Sequence, residues 1–290
     1  MKGVILAGGT GSRLHPLTRI TNKHLLPVYD KPMIFFPIET LVSAGIDEIM
    51  VVTGGNHAGE FLPLLGNGSE FGLRRLQFSY QAHAGGIAEA LGLCESFVDG
   101  DKSVVMLGDN ILGHSIAPYV KHFMDQSHGG RILLKEMEDP SHLRHLGVPI
   151  FGKDDRLAYI REKPETPPSP YAVIGIYMYD ASVFDIVRNL TPSGRGELEI
   201  TDVNNVYLRQ NTLQVAKMGR GFAWFDTGTH NDLLEAGEYV RTIEMRQGLK
   251  IACVEEVAYH MGYIDAARLR AEARRFGKND YGRYLMSLLE

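Results

Sequence analysis

Apolar, β-branched-rich runs recur along the first third of the chain, at residues 3–7, 48–53, 76–80 and 103–107. Runs of this length and composition predict buried strands. The stretches between them carry apolar residues three and four apart. Residues 33–44 end at Gly45 in the manner of a C-capped helix, 58–65 form a short helical pattern, and 87–97 form an amphipathic one. Strand and helix in alternation predict a largely parallel sheet with helices on both faces. After Asp109 the rhythm changes. Candidate strands at 131–135, 148–151, 157–160 and 173–179 are separated by shorter turns, which predicts an insertion or a mixed half of the sheet. Residues 164–170 hold four prolines in seven positions, excluding helix and central strand, and so predict a surface loop and candidate flap. From Thr229 the spacing turns helical through Leu233, Leu234, Ala236, Val240 and Ile243, then at 266–276 and 281–289. The expected fold is α/β: a Rossmann-like, mostly parallel or mixed central sheet flanked by helices, with a helical C-terminal region. One domain over 1–290 is expected, its α/β core in 1–240 and a mainly helical extension in 241–290.

Composition narrows the function. A formal charge of −5 without any run of Lys and Arg argues against a nucleic-acid partner. The apolar stretch Val4-Ile5-Leu6-Ala7 is broken at once by Gly8-Gly9, too short for a signal or membrane segment, so a cytoplasmic protein with no membrane partner is expected. Cys94 and Cys253 lie far apart and the eleven histidines show no ligand spacing, which disfavours zinc and a disulfide framework. His24, His83, His142 and His145 read as loop or surface residues.

The first strand empties into Gly8-Gly9-Thr10-Gly11-Ser12-Arg13. Glycines there let backbone N–H groups approach phosphate oxygens, although a tight connection alone would also use them. A dinucleotide fingerprint is broken by Leu14 at the third glycine position, which disfavours a nicotinamide-dependent oxidoreductase, and no Gly-Lys-Ser/Thr follows to make a Walker A loop. What remains is a phosphate-sized turn with two cations nearby, Arg13 and Lys23, better suited to a triphosphate.

With Lys23-His24-Leu25-Leu26-Pro27 following Leu6–Leu14, the chain resembles the sugar-phosphate nucleotidylyltransferases, whose opening reads LAGG-x-G-x-R-L and then K-x-LLP. The resemblance continues through Leu107-Gly108-Asp109-Asn110, Glu162-Lys163-Pro164, the block 196–202 and Trp224-Phe225-Asp226-Thr227-Gly228-Thr229, and is nearest to the thymidylyltransferase branch. It implies Mg2+-dependent transfer from dTTP to glucose 1-phosphate, with a uridylyltransferase acting on UTP and a hexose 1-phosphate, or a non-catalytic sugar-nucleotide sensor, as the alternatives. It also implies roles by position. Gly8, Gly9 and Gly11 would cradle the nucleotide, Arg13 and Lys23 engage its triphosphate, and Gln81 and Gly86 read the pyrimidine. Asp109 and Asp226 would hold the metal, which fits Mg2+ with its need for one or two carboxylates beside phosphates and water. Either alone also suits a turn or helix cap. Lys163 would meet the sugar phosphate, while Glu162, Gly147, Asn110 and Val173 line the sugar.

The chain departs from the pattern in four places. Ala82-His83-Ala84-Gly85-Gly86 replaces the usual base loop, Leu146-Gly147-Val148-Pro149-Ile150 replaces a tyrosine-led segment, Ile174 stands for threonine, and His24 stands for glutamine. The block 195–202 reads as a helix start capped by Thr201 or an acidic neighbour, with Val203, Val206 and Tyr207 facing the core. By resemblance a homotetramer with a second, inhibitory nucleotide site is implied.

Overall fold

A computed structural model describes residues 1–290. Its strands are β1 (Lys2–Ala7), β2 (Pro27–Val28), β3 (Lys31–Pro32), β4 (Glu48–Gly54), β5 (Arg75–Gln81), β6 (Ser103–Leu107), β7 (Asn110–Leu112), β8 (Gly130–Glu136), β9 (Gly147–Phe151), β10 (Leu157–Glu162), β11 (Tyr171–Tyr179), β12 (Leu213–Lys217) and β13 (Trp224–Asp226). The helices are α1 (Phe35–Ser43), α2 (Phe61–Leu65), α3 (Ile87–Gly92), α4 (Glu95–Val98), α5 (Ala117–Asp125), α6 (Pro140–Leu143), α7 (Val183–Arg188), α8 (Ile200–Arg209), α9 (His230–Gln247), α10 (Val254–His260), α11 (Ala266–Arg275) and α12 (Asp280–Ser287).

Nine strands form one mixed sheet, in the order β10-β9-β11-β6-β1-β4-β5, with β8 pairing β11 and β12 pairing β8. The β6-β1-β4-β5 portion is parallel, as the alternation of strand and helix requires. β1, β4 and β6 are apolar on both faces because both faces are covered, whereas β5 at the edge alternates apolar residues with Gln77 and Ser79. Val4 and Leu6 enter one core cluster with α3, α4 and α7, whereas Ile5 and Ala7 enter the other with α1 and α5. Each fully buried aliphatic side chain contributes about 1.5–3 kcal/mol. The four early strands and the four later ones fall where the sequence places them, so the mixed α/β sheet is as expected.

Two helical expectations change. The stretch 87–97 is not one helix: α3 stops at Gly92, a poor helix former, and α4 restarts at Glu95. A Cβ at Gly92 would stand 3.1 Å from Val187 of α7, so the glycine serves close helix packing. The 58–65 pattern begins as a 3-10 turn before α2. Residues 164–170 are a loop, tied by the Ser169 hydroxyl to the Pro149 carbonyl at 2.7 Å. At the C-terminal side α9 runs through position 240, with Val240 fully buried against Val28, Met33 and Ile111, so the α/β core passes into the helical part inside a continuous helix. No helix is long and apolar enough to cross a membrane.

One strand organises the functional region. β11 pairs with β8 along one edge, at Tyr171–Val173 and again at Tyr177–Tyr179. Its other edge is shared: Ile176–Tyr179 pair with β6, and Val173 pairs with Gly147 of β9. The two neighbours therefore diverge around Gly175, where the ladder opens. A side chain there is excluded, since a Cβ would stand 2.7 Å from the Leu107 side chain and 2.9 Å from Asn110 Nδ2.

Candidate active site

The opening in the sheet is a cleft of about 370 Å³, lined among others by Arg13, Asp109, Asn110, Gly147, Glu162, Lys163, Val173 and Asp226. A second cavity of about 260 Å³ adjoins it, lined by Gly8, Gly9, His24, Gln81, Gly86 and Glu197. Ile87, Leu107 and Asp109 belong to both walls. The glycine turn thus faces one cavity and the Glu162-Lys163 segment the other, with Asp109 at the junction. Every candidate residue named from the sequence except Gly11 and Lys23 lines one of the two cavities, and those two support the junction.

The glycine turn requires its glycines. Gly9 and Gly11 have φ of 94° and 58°, and a Cβ at Gly11 would meet Thr18 and the Lys23 side chain. Arg13 is carried back by the 3-10 turn that follows, and its guanidinium lies against Gly228, where a Cβ would stand 3.0 Å from Nη2. Asp109 and Asp226 come together because β7 pairs with β13, placing Asn110 opposite Asp226. Thr227 fastens the junction: its N–H and hydroxyl donate to the Asp109 carbonyl at 3.2 and 2.9 Å. Next in sequence, Thr229 and Asp232 form a capping box at the start of α9, satisfying orphan N–H groups there.

Lys23 Nζ donates to Asp109 Oδ2 at 2.5 Å, and the lysine side chain is only 9% exposed. Burial opposes ionisation of Asp109, but the Lys23 ammonium outweighs it, so this carboxyl stays well below the usual range. Asp226 goes the other way: burial first, and then the negative charge of Asp109, push it up to about 6. One carboxylate is neutralised and its neighbour is left short of positive charge. No group of three His, Cys, Asp or Glu side chains is arranged to hold a metal ion. A pair of carboxylates with a charge deficit suits a hard, oxygen-seeking divalent cation completed by phosphate and water, and does not suit zinc, which takes at least three protein ligands.

On the other wall Glu162 Oε2 accepts from the Thr201 hydroxyl at 2.5 Å, and its Oε1 lies 3.8 Å from Lys163 Nζ. Burial raises this carboxyl despite the Thr201 hydroxyl and the Lys163 charge. Lys163 adopts a left-handed backbone, φ 42°, an uncommon cost for a residue with a side chain and one often found at functional sites. Asn110 is 2% exposed and largely committed: its Oδ1 accepts from Trp224 Nε1 at 2.6 Å and Gly175 N at 3.2 Å, and its Nδ2 donates to Asp109. It lines the cleft while bracing the Asp109 carboxylate.

Several assignments from the sequence are corrected. Thr201 does not cap α8: Glu199 is the N-cap residue, no side chain caps it, and the Thr201 hydroxyl is spent on Glu162. Arg195 grips Glu199 with two bonds of 2.8 Å and lies 3.7 Å from Glu162 Oε1. His24 is no surface residue; it is 3% exposed, its Nδ1 lies 2.8 Å from Asn22 Oδ1, and burial lowers it to about 4, so the ring is neutral at pH 7. His145 lines the larger cavity, as do Tyr177 and Trp224, for which the sequence implied no role in the site.

Residues 2–242 match the family model described as nucleotidyl transferase. The chain is 50% identical over 289 residues to the glucose-1-phosphate thymidylyltransferase of Actinoplanes sp., covering 99% of this chain and 94% of that one. It is 44% identical to the same-named enzyme of Neisseria meningitidis, across 100% of both. Among solved structures, a Bacillus anthracis protein assigned as a glucose-1-phosphate thymidylyltransferase, with sucrose bound, superposes with a TM-score of 0.77 at 48% identity, covering 83% of this chain and 95% of its own. A UDP-glucose pyrophosphorylase with UDP-glucose bound has a TM-score of 0.69 at 22% identity, with 83% and 98% covered, and shares the fold.

Proposed function

Because this chain belongs to the nucleotidyl transferase family and is a nucleotidyltransferase enzyme of the sugar-phosphate kind, we propose that it transfers a thymidylyl group from dTTP to glucose 1-phosphate with Mg2+, releasing dTDP-glucose and pyrophosphate. The observation that carries this reading is the position of Asp109 where a glycine-lined cavity meets one lined by Glu162 and Lys163, with Asp226 and Arg13 on the wall of the latter. Substrates on either side of that junction would bring a sugar phosphate oxygen toward the nucleotide α-phosphorus.

The reaction is a single in-line displacement: the glucose 1-phosphate oxygen forms the new bond to the α-phosphorus as the bond to pyrophosphate breaks. A phosphate monoester is already ionised at neutral pH, so no residue has to serve as general base. The glycine turn offers backbone N–H groups to the triphosphate, and Arg13 supplies a planar cation beside it. Lys23 holds Asp109 ionised and in place. Lys163 supports the sugar phosphate, and Glu162, oriented by Thr201, accepts from sugar hydroxyls. Mg2+ held by Asp109 and Asp226 would supply charge stabilisation to the phosphates as negative charge grows at the transition state. A tetramer belongs to the same proposal and is read by light scattering.

UTP is the second candidate nucleotide, since it differs from dTTP by one methyl, worth about 1–3 kcal/mol in an apolar pocket. The test is pyrophosphate release from dTTP and from UTP with a panel of sugar 1-phosphates, with and without a chelator. Fast release from dTTP and glucose 1-phosphate, abolished by chelation and restored by Mg2+, is expected. Preference for another pair would move the substrate, and no release from any pair would overturn the enzyme reading in favour of a sensor.

A further inference from the structure

Glu89 lies on the first turn of α3, outside the linings of both cavities, yet its carboxylate reaches the glutamine on the base side. Gln81 Nε2 donates to the Gly86 carbonyl at 3.1 Å and to Glu89 Oε2 at 2.7 Å. Both partners only accept, so the side-chain amide faces them by its nitrogen and by no other atom. Oε1 then faces the opposite way, where a Cβ at Gly8 would stand 3.2 Å from it. It receives no bond from the protein and is not sealed from solvent.

The Gly86 carbonyl is also held by Ala90 N, which donates to it at 3.2 Å, and the loop around it is tied down. Leu198 N donates to the Gly85 carbonyl at 2.7 Å and Ala88 N donates to the Leu198 carbonyl at 3.1 Å, stitching the Gly85-Gly86 loop to the strand-like segment before α8. A side chain at Gly86 would collide with that Leu198 carbonyl, and one at Gly85 would overlap the Glu89 carboxylate. The missing side chain at Gly85 is what makes room for Glu89.

We propose that Glu89 is a positioning residue for base selection. By holding the Gln81 amide one way round, it leaves an acceptor facing the nucleotide cavity. That acceptor favours a pyrimidine carrying an N–H at ring position 3, thymine or uracil, and rejects cytosine, whose nitrogen there is itself an acceptor. This rests on the nucleotidyl-transfer reading, and names how its base side chooses.

The test compares kcat/KM for dTTP, UTP and CTP at saturating glucose 1-phosphate in the native enzyme and in Glu89→Gln. The new amide can donate as well as accept, so Gln81 can turn and offer Nε2 to cytosine, at the expense of its bond to Gly86. Losing one orientation-setting bond is expected to narrow the dTTP-to-CTP ratio by about tenfold, with the KM for glucose 1-phosphate and the melting temperature unchanged. Gly85→Ala, which displaces the Glu89 carboxylate without altering charge, should narrow the ratio in the same direction. A ratio within about twofold of native in either folded variant overturns the proposal. If the native enzyme turned over no nucleotide, the functional reading would fail first. Calorimetric titration with dTTP and CTP would then still test the selection: equal affinities in the native protein overturn it, and preference for dTTP that Glu89→Gln weakens supports it.

Discussion

Replacing Asp226 by asparagine should cost activity and, in metal-free buffer, add stability. Lys23 pairs directly with Asp109, and neither it nor the Arg13 guanidinium offsets the burial of Asp226 and the charge of Asp109 beside it. In the folded protein Asp226 titrates near 6, against an ordinary value of 3.8. The raised carboxyl favours folding below pH 3.8, where it is protonated in both states, and this advantage is lost as pH rises through about 6. At pH 8 the full penalty applies, with an upper bound of roughly 3 kcal/mol from 1.36 kcal/mol per pKa unit. Asparagine removes the charge and keeps the shape. Asp226→Asn without metal should therefore melt above the native protein at pH 8, by roughly 2–6 °C for a chain of this size, and the gap should close toward pH 4. Turnover should fall about tenfold to thousandfold, the range for losing a transition-state charge contact. Melting by differential scanning fluorimetry in chelator across pH 4–8, with pyrophosphate release measured in Mg2+, checks both. Normal turnover in the folded variant, or a lower melting temperature at pH 8, would refute the argument that function places an uncompensated charge here.

Three other substitutions probe the frame. Lys23→Met leaves Asp109 partly buried without its partner and should destabilise by about 2–4 kcal/mol in urea titration while nearly abolishing turnover. Gly175→Ala drives a methyl into Leu107 and Asn110 and should cost about 1–3 kcal/mol; a raised KM for glucose 1-phosphate, with that for dTTP little changed, would accompany it. Thr229→Ala removes the capping box of α9 and should lower stability by about 0.5–2 kcal/mol, read as an earlier unfolding midpoint.

What the sequence made legible was local. β1, β4 and β6 are short apolar runs that end at or before a glycine, β5 alternates apolar with polar residues, and the glycine turn sits at the end of the first, so both strand and phosphate-sized loop can be read without neighbours. The aspartate pair is different. Asp109 and Asp226 meet through β7 and β13, three residues each, whose pairing spans more than a hundred positions and leaves no periodic trace. Resemblance, and not patterning, supplied that pair. Thr201 and His24 were misjudged because a hydroxyl near a helix start and a histidine near a loop look like caps and surface residues until their partners, Glu162 and Asn22, are placed. The break between α3 and α4 was carried by a single glycine, whose close neighbour Val187 lies almost a hundred residues on.

The open edge of β11 also sets the units in which this enzyme can be re-engineered. The hairpin β9–β10 is joined to the sheet by the single register pair Val173 and Gly147. It is steadied from α8 by Asn205, which bonds both the N–H and the carbonyl of Ile160 at 2.9 Å. β1, by contrast, is locked by parallel neighbours on both sides, five register pairs with each. The hairpin together with its α8 anchor is therefore the part of the cleft wall most open to exchange as a unit, while the sheet around β1 stays as a fixed chassis.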